Sequence, residues 1–217
     1  MAVYDFPPIE NADEHGLLAI GGDLEPESLL LAYSRGIFPW PINEEYPLAW
    51  FSPDPRGVLL TEELHISSSL RKFLKKAPYE VTFNQQFEAV IKNCALQKRP
   101  GQESTWITDE LMEAYIQFHK LGYAYSVEVL NKDKKLVGGL YGVNLNTYFS
   151  GESMFHLEDN TSKIALVALV TKLRELKIPY LDTQMVTPVV ESLGGKNIPR
   201  ETFIQYLNLS LKNKTGK

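Results

Sequence analysis

Cys94 is the one cysteine in 217 residues, so neither an intramolecular disulfide framework nor a cysteine metal cluster can form. It falls on an expected helix among apolar neighbours and reads as core rather than as a nucleophile. Long apolar runs are missing as well. The longest unbroken one, 164–170, is far too short to span a bilayer. The N-terminus has no apolar stretch of the secretory kind and carries Asp5, Glu10, Asp13 and Glu14 instead. A soluble, cytoplasmic protein is expected, with no membrane partner. Positive charge is not in excess either: 22 basic residues face 27 acidic ones, a net charge of -5. That excludes a generally basic nucleic-acid binder while leaving room for a local basic patch.

Several site types are absent. His15, His65, His119 and His156 are dispersed without the short spacing that metal ligands on one element need, so no metal is expected. Gly21-Gly22-Asp23 lacks the lysine and hydroxyl that follow a phosphate-loop glycine. Gly151-Glu152-Ser153-Met154-Phe155 lacks the second glycine of a nucleophile elbow, which leaves Ser153 a poor acyl-enzyme nucleophile. No cofactor is implied.

What is present is a change of texture. Residues 1–58 are rich in Pro and Gly and read as a small N-terminal domain, with a helix over 27–33 opened by Pro26 and closed by Gly36. The segments Phe38-Pro39-Trp40-Pro41 and 50–56 are expected to be neither helix nor central strand, since each proline lacks an N–H donor. They read as rigid coil packed on the main body, or as walls of a pocket lined by tryptophan. Residues 59–217 carry regular elements. Helices are expected over 67–76, 87–94, 109–121 (capped by Thr108), 161–176 and 199–211, and strands over 124–130, 135–144, 146–155 and 178–186. The order α–β–β–β–α–β–α predicts an α+β fold rather than a doubly wound parallel sheet.

Chemistry gathers at three places. On the last of those strands Tyr180, Asp182 and Gln184 share one face, since side chains alternate. A carboxylate and an amide on an otherwise core-like strand must satisfy each other in a network or face a wet cleft. Trp106, Phe149 and Glu152, with Asp182 and Gln184, suit an apolar side chain beside a cationic amine; plain core packing of Trp106 and Phe149 is the alternative. The helix over 67–76 places Arg71, Lys72, Lys75 and Lys76 on one side as two i,i+4 pairs, either a solvated face or a phosphate contact.

Seven motifs in order then carry a resemblance. They are 16–24 (GLLAIGGDL), 33–40 (YSRGIFPW), 50–56 (WFSPDPR), 64–67 (LHIS), 105–108 (TWIT), 139–143 (GLYGV) and 151–155 (GESMF). Over residues 16–207 the chain resembles the bacterial leucyl/phenylalanyl-tRNA–protein transferases. The resemblance implies a small N-terminal domain and a C-terminal domain of acetyltransferase-like (GNAT) fold. It implies a monomer that moves Leu or Phe, and weakly Met, from charged tRNA to the α-amino group of proteins beginning with Arg or Lys, marking them for the N-degron pathway. Asp182 and Gln184 match the family's catalytic pair. Gln184 would orient the amine through its amide oxygen, and Asp182 would hold that amide. Trp40, Trp106, Leu140, Phe149 and Glu152 match positions for the aminoacyl group and terminal adenosine, with the apolar four expected to wall one pocket. Arg71, Lys72, Lys75 and Lys76 would meet acceptor-stem phosphates.

The chain departs from the pattern after that strand. Relatives carry Asn and His where this chain has Thr187 and Val189, so no role passes to those two side chains. Two rival readings stay open. An acetyl-CoA-dependent N-acetyltransferase would need a glycine-rich pyrophosphate cradle where this chain has 156–161 (HLEDNT), with no glycine and two acids. A non-catalytic adaptor for charged tRNA or N-degrons is the other.

Overall fold

Pro26 starts the first helix because a missing N–H costs nothing there, and Gly36 with φ of 74° turns the chain out of it. The computed structural model describes residues 2–41, 48–76, 78–97 and 105–212, so Ser104 beside the Thr105–Thr108 motif lies outside them. The N-terminal part holds β1 (Leu17–Ile20), helix α1 (Pro26–Ser34), β2 (Phe38–Pro39) and β3 (Ala49–Phe51). These three strands form a small antiparallel sheet in the order β1-β3-β2. The expectation of coil fails here. Trp50 and Phe51 lie in the central strand, because the prolines fall outside it and Pro39 sits on an edge strand, where its missing donor is tolerated.

The larger part continues with β4 (Arg56–Leu60), α2 (Ser68–Lys76), β5 (Glu80–Phe83), α3 (Phe87–Leu96), α4 (Asp109–Lys120), β6 (Ala124–Leu130), β7 (Leu136–Leu145) and β8 (Tyr148–His156). It ends with α5 (Thr161–Glu175), β9 (Tyr180–Gln184), α6 (Pro188–Ser192), β10 (Lys196–Ile198) and α7 (Arg200–Lys212). The seven-stranded sheet runs β10-β4-β9-β8-β7-β6-β5. Its pairs are antiparallel except β8 with β9, whose parallel pairing is what the α5 crossover permits. The fold is α+β, with a small N-terminal part and a larger C-terminal one, as the element order predicts. Thr108 caps α4 as expected, its hydroxyl accepting from the Leu111 N–H at 3.2 Å.

Each face of the large sheet buries its own core. Tyr141, Tyr148, Phe155 and Tyr180 pack with Tyr33 of α1, Val90 of α3, Tyr115 of α4 and Phe203 of α7. Leu140, Phe149 and Leu181 pack on the other side with Leu70 of α2 and with Leu166, Leu169 and Leu173 of α5. Alternation along each strand makes this division, and it decides which residues can meet in a site.

Candidate active site

β9 lies in the middle of the sheet, so both its faces are covered, and Tyr180, Asp182 and Gln184 are all buried. Asp182 is fully buried and fully partnered. Its Oδ1 accepts from Arg56 Nε at 2.9 Å and its Oδ2 from Arg56 Nη2 at 2.7 Å, a two-point pair with neither side chain exposed. Oδ2 also accepts from the Tyr148 hydroxyl at 2.6 Å. The Arg56 guanidinium gives Nη1 to the Gly36 carbonyl at 3.0 Å and lies between the rings of Phe38 and Phe203, 4.8 and 4.4 Å from their centroids. Burial, then the Asp182 charge, pushes the Tyr148 hydroxyl well above its usual range, so it stays a donor.

Asp182 does not hold the side-chain amide of Gln184 as expected. It accepts from the main-chain N–H of Gln184 at 2.9 Å. That contact helps fix a left-handed backbone at Gln184, φ 58°, which a long side chain adopts only when its surroundings over-determine it. Gly57 of β4 pairs with Gln184 where the β4–β9 register slips. A Cβ at Gly57 would fall 2.6 Å from the Met185 carbonyl carbon, so only glycine lets the two strands approach there.

The side-chain amide of Gln184 donates instead to Ser150 Oγ at 3.2 Å, and Ser150 donates to Glu152 Oε1 at 2.8 Å. Glu152 Oε2 accepts from the Tyr115 hydroxyl at 3.4 Å, and Tyr115 is hydrogen-bonded to the Tyr33 hydroxyl. Burial pushes the Glu152 carboxyl up to about 7; hydrogen bonds from Ser150, Tyr33 and Gln184 pull against that, and the Asp182 charge adds to it. A polar row therefore runs from Asp182 through Gln184, Ser150 and Glu152 to two tyrosines on α1 and α4.

Trp40 and Trp106 stack at 5.2 Å and 29°, both half-buried, joining the N-terminal part to the segment before α4. Leu140 and Phe149 are elsewhere. In the parallel β8–β9 pairing Phe149 is opposite Leu181 and Ser150 opposite Asp182, so Phe149 points away from the polar row. Both residues belong to the core under α5, whereas the tryptophans pack on the opposite core. The four do not wall a single pocket.

Arg71, Lys72, Lys75 and Lys76 are exposed on α2, while Leu70 is buried and Phe73 and Leu74 are half-buried. Among the described residues none of the four cations makes an ion pair. Thr187 caps α6, accepting from the Val190 N–H at 3.4 Å, and Val189 packs on the core under α5. No cluster of His, Cys, Asp or Glu among the described residues is placed to hold a metal ion, and no helix there is long and apolar enough to cross a membrane.

Arg56, Tyr148, Ser150, Tyr115 and Tyr33 were not singled out by the sequence. Arg56 stood in plain view at the end of the motif over 50–56, yet its partner lies 126 positions on.

A sheet that buries a polar row, in a protein that also stacks two tryptophans, fits a class, the aminoacyltransferases, once the chain is set beside known proteins. The family model described as leucyl/phenylalanyl-tRNA protein transferase matches residues 58–208, and the model of that family's N-terminal domain matches residues 22–54. A leucyl/phenylalanyl-tRNA–protein transferase of Flavobacterium johnsoniae is 52% identical over 202 residues, 93% of this chain and 94% of that protein. One of Syntrophus aciditrophicus is 50% identical over 210 residues, 97% of this chain and 87% of that protein. Among solved structures, a tandem GNAT protein from the clavulanic acid biosynthesis pathway covers 84% of this chain and 58% of its own, at 11% identity and a TM-score of 0.39. The chain belongs to the leucyl/phenylalanyl-tRNA protein transferase family.

Proposed function

We propose that this protein moves Leu or Phe, and Met weakly, from charged tRNA to the α-amino group of proteins beginning with Arg or Lys, marking them for degradation. The observation that carries the reading is the polar row that joins Gln184 to Glu152, in a chain of this family. The acceptor arrives as an ammonium and must lose a proton before its nitrogen attacks the ester carbonyl carbon. Gln184, tied by its NH2 to Ser150, has its amide oxygen left for that amine. The ammonium's first proton goes to solvent; the new C–N bond forms as the ester C–O bond breaks, and the second proton leaving the nitrogen restores the hydroxyl of the terminal ribose. No covalent enzyme intermediate is required, because the ester is already activated, and positioning supplies the rate.

The other roles follow from where the groups sit. Glu152, ionised by an approaching cation, would hold the ammonium of the donor amino acid. Trp40 and Trp106 offer aromatic faces for the terminal adenosine. Leu140 and Phe149, packed with the leucines of α5 on the opposite face from Glu152, would shape the donor pocket only through the sheet between them. Arg71, Lys72, Lys75 and Lys76 would meet the acceptor-stem phosphates. The protein is read as a cytoplasmic monomer, with residues 1–58 and 59–217 as its two domains.

The test is transfer of radiolabelled leucine from charged tRNA to a peptide with N-terminal Arg. Labelled peptide that requires the protein supports the reading. Binding of tRNA and peptide without transfer would make the protein an adaptor.

A further inference from the structure

The turn between β6 and β7 carries Lys132, Lys134 and Lys135, which no role above uses. Asn131 fixes its shape. Its Oδ1 accepts the main-chain N–H groups of Asp133 at 3.0 Å and Lys135 at 3.1 Å, and its own N–H donates to the Lys135 carbonyl at 3.0 Å. Lys134 turns the chain back with φ of 59° and pairs with Glu80. Lys132 and Lys135 are exposed and make no ion pair among the described residues.

Glu158, just before α5, fastens this turn to the end of α2. Its Oε1 accepts from Asn131 Nδ2 at 3.0 Å and its Oε2 from the Tyr79 hydroxyl at 2.6 Å. Tyr79 in turn lays its ring against Phe73 of α2, with centroids 6.3 Å apart. The link matters because α2 has little else to hold it: of its 9 residues only Leu70 is buried.

Exposed lysines are usually no more than a solvated face. Here the local acids are largely occupied. Glu80 is paired with Lys134 and Glu158 has both oxygens in hydrogen bonds, which leaves Asp133 and Asp159 against Lys75, Lys76, Lys132 and Lys135. In a chain of net charge -5 a polyanion can be held only where cations gather. Cations kept at a fixed spacing suit a phosphate backbone, since each contact releases a counterion. We propose that this turn is a second contact for tRNA phosphates, continuing past the C-terminal end of α2, with Glu158 as the positioning residue that holds turn and helix together. The inference rests on the transfer reading above and extends the surface that meets the donor. Contact of this kind fixes the tRNA in place without reading its bases.

The experiment measures the affinity for charged tRNA against salt, and the kinetics of leucyl transfer to a peptide with N-terminal Arg. It uses the wild type, the double variants Lys132→Ala/Lys135→Ala and Lys132→Glu/Lys135→Glu, and Tyr79→Phe. Both lysines are exposed, and an unchanged KM for the peptide checks that each variant is folded. The alanine pair should flatten the slope of log affinity against log salt by about 1.5 units, somewhat less than one per lost contact. It should raise the KM for charged tRNA and leave kcat unchanged, and the glutamate pair should raise that KM further. Tyr79→Phe keeps every charge and the ring on Phe73 but releases Glu158, so it should raise the same KM with kcat unchanged. A slope and tRNA KM unchanged in both lysine variants, with the wild type still transferring, overturn the contact and leave the transfer reading standing. A tRNA KM unchanged in Tyr79→Phe overturns the positioning role of Glu158. A wild-type protein that neither binds charged tRNA nor transfers leucine overturns both readings.

Discussion

Arg56 and Asp182, 126 positions apart, meet as a two-point pair with no solvent contact on either side chain, at 2.9 and 2.7 Å. The pair ties the chain just after the small sheet to the centre of β9. Removing one partner leaves the other charge buried alone, which costs about 3–5 kcal/mol. Asp182→Ala should therefore lower both transfer and melting temperature. Arg56→Lys should do the same to a lesser degree, since a lysine cannot give the two-point geometry. The double variant Arg56→Met/Asp182→Leu separates the two effects. Recovery of the melting temperature without transfer would show that the pair serves the site as well as the fold; recovery of both would make it structural only.

Gln184→Ala should behave differently. Its side chain bonds Ser150 and Glu152 at the end of the strand, while its backbone is held by Asp182 whatever the side chain. Transfer should fall more than tenfold, with stability changed by only about 1 kcal/mol. Near-normal turnover by the purified variant would remove Gln184 from the mechanism.

Glu152 should give the protein a pH-dependent stability. Its carboxyl titrates near 7 in the fold against a usual 4.5. Between those values the folded state binds more protons than the unfolded state, so stability falls as pH rises from about 4.5 and levels off above about 7. The difference is on the order of 3 kcal/mol. Glu152→Gln should flatten this slope and raise stability at pH 8. Thermal unfolding of both proteins from pH 5 to 8 measures it, and parallel curves would contradict the assignment.

The alternation that set Tyr180, Asp182 and Gln184 on one face was legible because a strand's period needs no tertiary information. Strand β6 and helices α1 and α4 were legible for the same reason: their patterns are local. Arg56 was not, since the signal for a buried cation is its partner, and that partner is remote in sequence. β3 was hidden by the prolines around it, and β4 and β10 by the short lengths over which they pair. The separation of Leu140 and Phe149 from the tryptophans depended on the β8–β9 register and on which helices cover each face.

Charge on α2 should appear as salt dependence. Replacing Arg71, Lys72, Lys75 and Lys76 by Ala removes four exposed cations and no buried contact, so folding should persist. If they meet phosphates, charged-tRNA affinity should fall by similar factors for different tRNA sequences. The slope of log affinity against log salt should flatten as well, by somewhat less than one unit per lost contact. A slope equal to the wild type's would make the helix a solvated face.

Donor choice should divide along the two faces of the sheet. Trp40→Ala or Trp106→Ala removes one ring of the stack and touches nothing under α5, so transfer of Leu and Phe should weaken by equal factors. Leu140→Trp acts on the other face. Leu140 is 4% exposed, and extra volume there crowds Phe149, Leu181 and the leucines of α5. Overpacking costs about 1–3 kcal/mol, and strain passed through the sheet should tighten the donor pocket, so the larger Phe should suffer more than Leu. Charged donors should transfer hardly at all from their tRNAs, because a charge in an apolar donor pocket would have no partner. Competition between Leu-tRNA and Phe-tRNA measures the ratio directly. If the ratio moves in the tryptophan variants and stays fixed in Leu140→Trp, the donor side chain lies on the tryptophan face.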